Sequence, residues 1–268
     1  MTVGVITDSA SSIPPDLAAE HDVVVVPLHL LVGAVNNRVT TSSPSPGEFL
    51  DAARRSGGDE VVILTVSSRV SGVWNAARLA ADSADVPVSV VDTETAAGAQ
   101  ALVVFAAADA AAAGADAAGV EAAAREAIEG VRLVAVVDGL DHLVRSGRVP
   151  GIAGWAGRML GLQPLFEFRH GAARRLRPAT GREAALTRIV GHWRRSYAQV
   201  GPDHRLHLVG LHASAEGDAE ALRKRVREDL APALPATELT LEFGPVMVAH
   251  TGPGLVGLAW RWEPVRAG

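Results

Sequence analysis

The chain contains no cysteine, which excludes disulfides, thiolate metal sites and cysteine nucleophiles together. Lysine is nearly absent too. The single one, Lys224, follows Arg223 inside a helical pattern, so no phosphate-cradling P-loop exists. Basic charge is not in excess: the formal net charge of −5 argues against general nucleic-acid binding. No apolar run is long enough for a membrane span. The greasiest segment, Ala96 to Ala113, is broken by Gln100 and Asp109 and reads as a buried helix. The opening Met1-Thr2-Val3-Gly4 lacks a basic lead and enters a strand-like run, so no signal peptide is expected and a cytoplasmic protein is. Aromatics are only 4% of the chain, which leaves alanine, valine and leucine as the bulk of the apolar mass. At 268 residues there is material for one large domain or two ordinary ones.

What is present is organised around Val61 to Trp74. The run Val61-Val62-Ile63-Leu64-Thr65-Val66 predicts a buried strand. It ends in Ser67-Ser68-Arg69-Val70-Ser71-Gly72, and a helix follows from Trp74 to Ala81. Hydroxyls and unpaired amides at such a helix start suit an anion, although an ordinary serine cap accounts for the local pattern equally well.

Strands are expected at Val3–Ile6, at Val23–Val26 with Leu28–Val32 extending it, and at Val86–Val91. Thr40 to Pro44 reads as a loop. Ser45, Pro46 and Glu48 form a capping box that starts a helix. Alanine-rich helices cover Ala96–Ala113 and Ala117–Glu129 and close on Gly114 and Gly130. Alternating strands and helices predict a parallel sheet with helices on both faces, and ligands then sit beyond the carboxyl ends of the strands. Three hydroxyl-rich turns, Thr7–Ser12, Ser67–Ser71 and Asp92–Thr95, fall at that edge. The second half changes rhythm. It offers a strand at Leu133–Val137, short helices at Asp138–Val144 and Ile152–Leu160, and a hairpin turning at His170-Gly171. Helices at Arg182–Ser196 and Ala215–Leu230 and strands at Leu206–Leu211, Leu239–Phe243 and Leu255–Trp262 complete it. An α/β domain over residues 1–129 and an α+β domain with a mixed sheet over 130–268 follow.

Several motifs carry less than they promise. Gly252-Pro253-Gly254-Leu255-Val256-Gly257 matches the dinucleotide pattern, but proline fills the phosphate turn and no helix follows. Ser71 is not in a nucleophile elbow. His204, His207 and His212 alternate faces of one strand without acids in ligand order, which predicts no metal site. Arg169, His170, Arg174, Arg175, Arg177 and Arg182 form a basic cluster, readable as a solvated hairpin or as a docking patch for an acidic partner.

Five motifs in order amount to a family resemblance. Thr7-Asp8-Ser9, Thr41-Ser42-Ser43-Pro44-Ser45, Ser67-Ser68-Arg69-Val70-Ser71-Gly72, Gly147-Arg148-Val149 and His250-Thr251-Gly252-Pro253-Gly254 resemble the DegV family of bacterial fatty-acid-binding proteins, from Val3 to about Gly257. The resemblance implies a two-domain DegV-like fold: a parallel-sheet α/β/α N-terminal domain and an α+β C-terminal domain that closes over the lipid. It implies a bound long-chain fatty acid and, as partner, a separate fatty acid kinase that forms the acyl phosphate. The family's motif threonine falls on Thr41, its carboxylate-binding serine on Ser71, its motif arginine on Arg148 and its motif histidine on His250. Ser43, Arg69, Val73-Trp74 and Val149 depart from the family pattern, and Arg69 and Trp74 bear on access or docking.

The chemistry agrees with that implication. A carboxylate in an apolar site must be hydrogen-bonded, and Thr41, Ser71 and the Gly72 amide offer donors, with Arg148 or His250 as countercharge. A tail contributes about 0.8 kcal/mol per buried CH₂. No cofactor, metal or catalytic residue is called for. Two alternatives stand beside this expectation: a serine hydrolase of acyl esters using Ser71, His250 and Asp8, and a binder of another small carboxylate or phosphate.

Overall fold

A computed structural model of the chain describes residues 1–32, 39–148, 161–201 and 203–265. Strand β1 (Val3–Asp8) runs into a 3₁₀ turn at Ser9–Ser11, then α1 (Pro15–Glu20), β2 (Val23–Val26), β3 (His29–Val32) and β4 (Val39–Ser42). Next come α2 (Pro46–Ser56), β5 (Glu60–Thr65), α3 (Val73–Ala81), β6 (Val88–Asp92), α4 (Ala97–Ala112) and α5 (Ala117–Gly130). The remainder holds β7 (Arg132–Val136), α6 (Asp141–Ser146), β8 (Leu162–Gln163), β9 (Leu165–Arg169), β10 (Ala172–Arg175), β11 (Ala179–Thr180) and α7 (Arg182–Tyr197). It closes with β12 (His204–His212), α8 (Glu216–Leu230), β13 (Thr237–Glu242), α9 (Pro245–Thr251) and β14 (Val256–Pro264).

Two sheets result. The first is wholly parallel, in the order β2-β1-β5-β6; the second is mixed, in the order β10-β9-β7-β14-β12-β13. Only β12 and β13 run parallel in the second sheet. Strand alternation assigns each sheet two buried faces. Ile6, Val61 and Ile63 pack with Phe49 of α2 and Ala77 of α3, whereas Val5, Val62 and Leu64 face α4 and α5. In the second sheet Val209 and Leu211 face α4, while Leu206 and Leu208 pack under α7 and α8. The molecule is therefore layered helix, sheet, helix, sheet, helix.

That middle layer explains the alanine-rich tract. Residues 97–108 of α4 are all buried, because the helix is enclosed by both sheets. A helix apolar all round is stable only in such a place. Small side chains let the sheets close in. At Gly98 an added Cβ would lie 2.6 Å from Leu211 Cδ2 and 2.7 Å from Val209 Cγ1. The capping box also forms as expected: the Glu48 amide donates to Ser45 Oγ, and Glu48 Oε2 accepts from the Ser45 amide at 2.8 Å.

Several expectations need correction. Leu28–Val32 does not extend β2; the chain breaks there and His29–Val32 pairs antiparallel with β4. Thr40 to Ser42, read as loop, is that second strand, where Thr41 faces Leu30 in register. The helix expected at Asp138 starts at Asp141, and Pro245–Thr251, which lies between two expected strands and carries no expected element, is α9. Its start signal was in the sequence: Gly244 followed by Pro245 at the first helical position. The hairpin at His170-Gly171 forms as read, with φ of 51° and 78° at the two turn residues. The predicted helix Ile152–Leu160 and Val149 lie outside the described residues.

Candidate functional site

The carboxyl end of the first sheet meets the second half of the chain across an apolar slot. Side chains from both sides line it, among them Leu28, Val70, Phe166, Phe168, Leu211 and Met247. Thr41, Ser71, Gly72, Arg148 and His250, the five residues singled out in the sequence, all lie on its wall. They come from four separate segments. Thr41 is presented by β4, Ser71 and Gly72 by the turn that starts α3, Arg148 by the turn after α6, and His250 by the last turn of α9.

Only one direct bond joins members of this set. Thr41 Oγ1 and His250 Nε2 are 2.8 Å apart, linking a strand of the first half to a helix of the second. Burial, followed by the nearby Arg148 cation, holds the His250 pKa below the ordinary histidine value. A neutral imidazole at pH 7 follows. Arg148 is exposed and its guanidinium donates to the Ser146 carbonyl at 2.7 Å. Gly147, left-handed at φ 65°, ends α6 and turns the chain there. Gly72 is the N-cap of α3 and forms no side-chain cap bond. A Cβ there would lie 3.4 Å from Ser43 Oγ, so the β4 strand end and the α3 start are neighbours.

The other serines of the Ser67–Ser71 turn are committed elsewhere. Ser67 Oγ donates to the Gly171 carbonyl at 3.0 Å, and the Ser68 amide donates to Asp92 at 3.1 Å. Gly171 in turn donates its amide to the Glu94 carbonyl at 2.7 Å. The two bonds to Gly171 clip the β9–β10 hairpin tip onto the first half of the chain. Arg69 belongs to the same clip, because a Cβ at Gly171 would fall 2.8 Å from Arg69 Cδ. Arg182 leaves the predicted basic cluster for Asp218 at 2.6 Å and Asp138 at 3.2 Å.

No Ser71–His250–Asp8 relay is assembled. Asp8 is fully buried, and its carboxylate accepts from the Val66 amide at 2.7 Å and the Ala10 amide at 3.0 Å. Burial pushes its pKa up to about 6 against the pull of those amides. It braces the turns after β1 and β5, while His250 Nε2 is engaged by Thr41. Among the described residues no group of three or more histidines and carboxylates is placed to hold a metal ion. His207 does have an acid after all: Glu263 Oε2 lies 2.9 Å from its Nε2, with Thr237 Oγ1 2.9 Å from its Nδ1. Sequence order hid that acid, since β14 brings it from 56 residues away.

Ser42 and Ser43 also line the slot, as do the small Ala96 and Ala97 at the start of α4. The hydroxyl-rich context of Thr41 was the signal for the serines. Nothing local marked the alanines, because their place depends on how α4 sits between the sheets.

The described helices include none long and apolar enough to cross a membrane. The model of the DegV family, described as uncharacterised, matches residues 31–263. A DegV domain-containing protein of Streptomyces coelicolor is 34% identical, over 96% of this chain and 97% of the relative. A fatty acid-binding protein of Thermotoga maritima is 26% identical, over 96% of both chains. Among solved structures, a DegV family protein of Thermus thermophilus described for fatty acid binding superposes with a TM-score of 0.88. It is 29% identical, with 98% of this chain and 100% of that one covered.

Proposed function

Because the chain belongs to the DegV family, we propose that it binds a long-chain fatty acid at the slot between the two halves. The carboxylate sits against the hydroxyls of Thr41 and Ser71 and the Gly72 amide. Arg148 supplies a standing positive charge, since arginine stays protonated at any working pH. His250, neutral at pH 7, orients the Thr41 hydroxyl through their 2.8 Å contact. The observation that carries this reading is that polar residues from four segments face one apolar slot, a mixture suited to an amphipathic anion. The slot measures about 150 Å³. A long chain therefore enters by parting side chains, and the flexible Met247 and Leu28 are suited to give way.

The bound head group is presented to a separate fatty acid kinase, which forms the acyl phosphate. Exposure of Arg148 and Gly72 beside the slot supports access from outside. The protein itself acts without catalysis: the buried Asp8 serves two backbone amides and no hydrolytic relay is built. The two functional halves divide near residue 129/130, with α4 packed against both, and the setting is the cytoplasm.

Mass spectrometry of an organic extract from the purified protein tests the binding. Fatty acids of about 14 to 18 carbons, long enough for methylene burial to dominate affinity, are expected. An extract free of lipid, from protein that also fails to take up added acid, would remove the reading.

A further inference from the structure

A second, polar cavity lies on the other side of the strand ends that form the slot. It is a groove of about 730 Å³, between the Ser9–Ser11 turn after β1 and the carboxyl ends of β12 and β13. Neighbouring residues divide between the two cavities. Leu211 and Phe243 line the slot, whereas His212, Leu241 and Gly244 line the groove. Carboxyl ends of parallel strands from both sheets thus converge on it, the usual place for a ligand in an α/β sheet. Its volume lies within the range of small-molecule sites.

Three features set this groove apart from an ordinary crevice. First, Ser12 Oγ, His212 Nδ1 and Thr240 Oγ1 are buried without a hydrogen-bond partner in the protein. They are three of the twelve such atoms among the described residues, and all three belong to residues lining one groove. His212 is only 6% exposed, so its unpaired nitrogen is a buried cost that an occupant would relieve. Second, Ser12 and Ser214 hold left-handed backbone, at φ 60° and 57°, on opposite walls. Non-glycine residues adopt that region at a cost, and such strain gathers where a site is shaped for a ligand. Third, the charge is of one sign. Glu216 and Glu242 line the groove, and no lysine or arginine does so among the described residues.

We propose that the groove is a binding site for a small hydroxylated amine. Hydroxyls on the ligand both donate and accept, which matches Ser12, Thr240 and His212. An ammonium group matches the two carboxylates. Phosphates and carboxylates, including the head group assigned to the slot, are disfavoured by the same charges. This inference rests on the groove alone and stands or falls independently of fatty-acid binding.

Isothermal titration calorimetry with glucosamine, glucose, gluconate and inorganic phosphate tests it on the full chain. Glucosamine is expected to bind, glucose more weakly, and the two anions not at all. Glu216 and Glu242 are both exposed, so the double variant Glu216→Gln/Glu242→Gln keeps the fold. It should weaken glucosamine about tenfold, to the level of glucose, as two partly screened ion pairs are lost. Thr240→Val should weaken both sugars alike while leaving retention of a fluorescent fatty acid unchanged. Binding of gluconate or phosphate as tight as that of glucosamine would overturn the proposal. So would unaltered glucosamine affinity in the double variant, or no heat from any of the four at millimolar concentration.

Discussion

Replacing Thr41 by valine keeps the β-branched shape on β4 and removes one oxygen. That oxygen is 2.8 Å from His250 Nε2, in a half-buried setting. In the proposed complex it donates to the carboxylate while His250 Nε2–H donates to it, so one atom carries two bonds. A hydrogen bond to a charged group is worth about 1.5–3 kcal/mol, and Thr41→Val should cost that much in binding. Converted to affinity, the loss is about 10- to 150-fold. His250→Ala should cost less, because it removes only the bond that orients the hydroxyl. The pair is in contact, so the double variant should fall short of the sum of the singles by more than the ~0.5 kcal/mol expected of independent sites. Displacement of a fluorescent fatty acid measures all three, and Thr41→Ser, which restores the hydroxyl, should recover most of the affinity. Wild-type affinity in both Thr41→Val and Ser71→Ala would refute the head-group assignment. Strict additivity of Thr41→Val and His250→Ala would refute the relay through His250.

Other outcomes follow from the same structure. His250 is held below the ordinary histidine pKa by burial and then by Arg148, so its NMR titration midpoint should lie below ~6.5 and rise in Arg148→Ala. Its neutral form favours folding above the unfolded pKa, and that share of stability is lost as pH falls through the lowered folded value. Asp8 runs the opposite way. With its pKa raised to about 6, its contribution is full below the unfolded value and lost as pH rises through about 6, so urea unfolding should show wild type losing stability relative to Asp8→Asn across that window. Gly98→Ala should destabilise by about 1–3 kcal/mol in the same assay, since the added methyl meets Leu211 and Val209 at under 3 Å. Affinity for saturated acids should climb by up to ~0.8 kcal/mol per methylene until the slot is full; a flat response from short to long acids would mean the tail is not enclosed.

The fold was legible where local physics and tertiary placement agree. The run Val61-Val62-Ile63-Leu64 becomes a strand buried on both faces, and the capping box at Ser45 starts its helix as written. The tract Ala96 to Ala113 carries no amphipathic stripe, and that absence was itself informative: such a helix must be enclosed, and it lies between two sheets. Legibility failed where a short segment takes its form from a distant partner. Thr40-Thr41-Ser42 looked like loop because hydroxyls and Pro44 surround it, yet pairing with His29–Leu31 makes it a strand. The helix at Pro245–Thr251 is two turns long, too short for a period to declare itself, and only Gly244-Pro245 announced it.

For the site, the sequence identified candidate residues but not how each is held. Ser67, Ser68 and Ser71 are alike in composition and spacing, yet two of them hold Gly171 and Asp92 and only Ser71 is left facing the slot. Asp8 next to a motif threonine invited a catalytic role. Its burial and its two amide partners make it a brace for the strand ends instead. These assignments depend on the β9–β10 hairpin tip docking 104 residues from Ser67, a separation at which no spacing rule applies. The same tip contact fixes Arg69, the residue that departs most in charge from the family pattern, away from the Thr41–His250 pair and against Gly171. The substitution therefore falls on the joint between the two halves, at the contact of the Ser67–Ser71 turn with the β9–β10 hairpin tip.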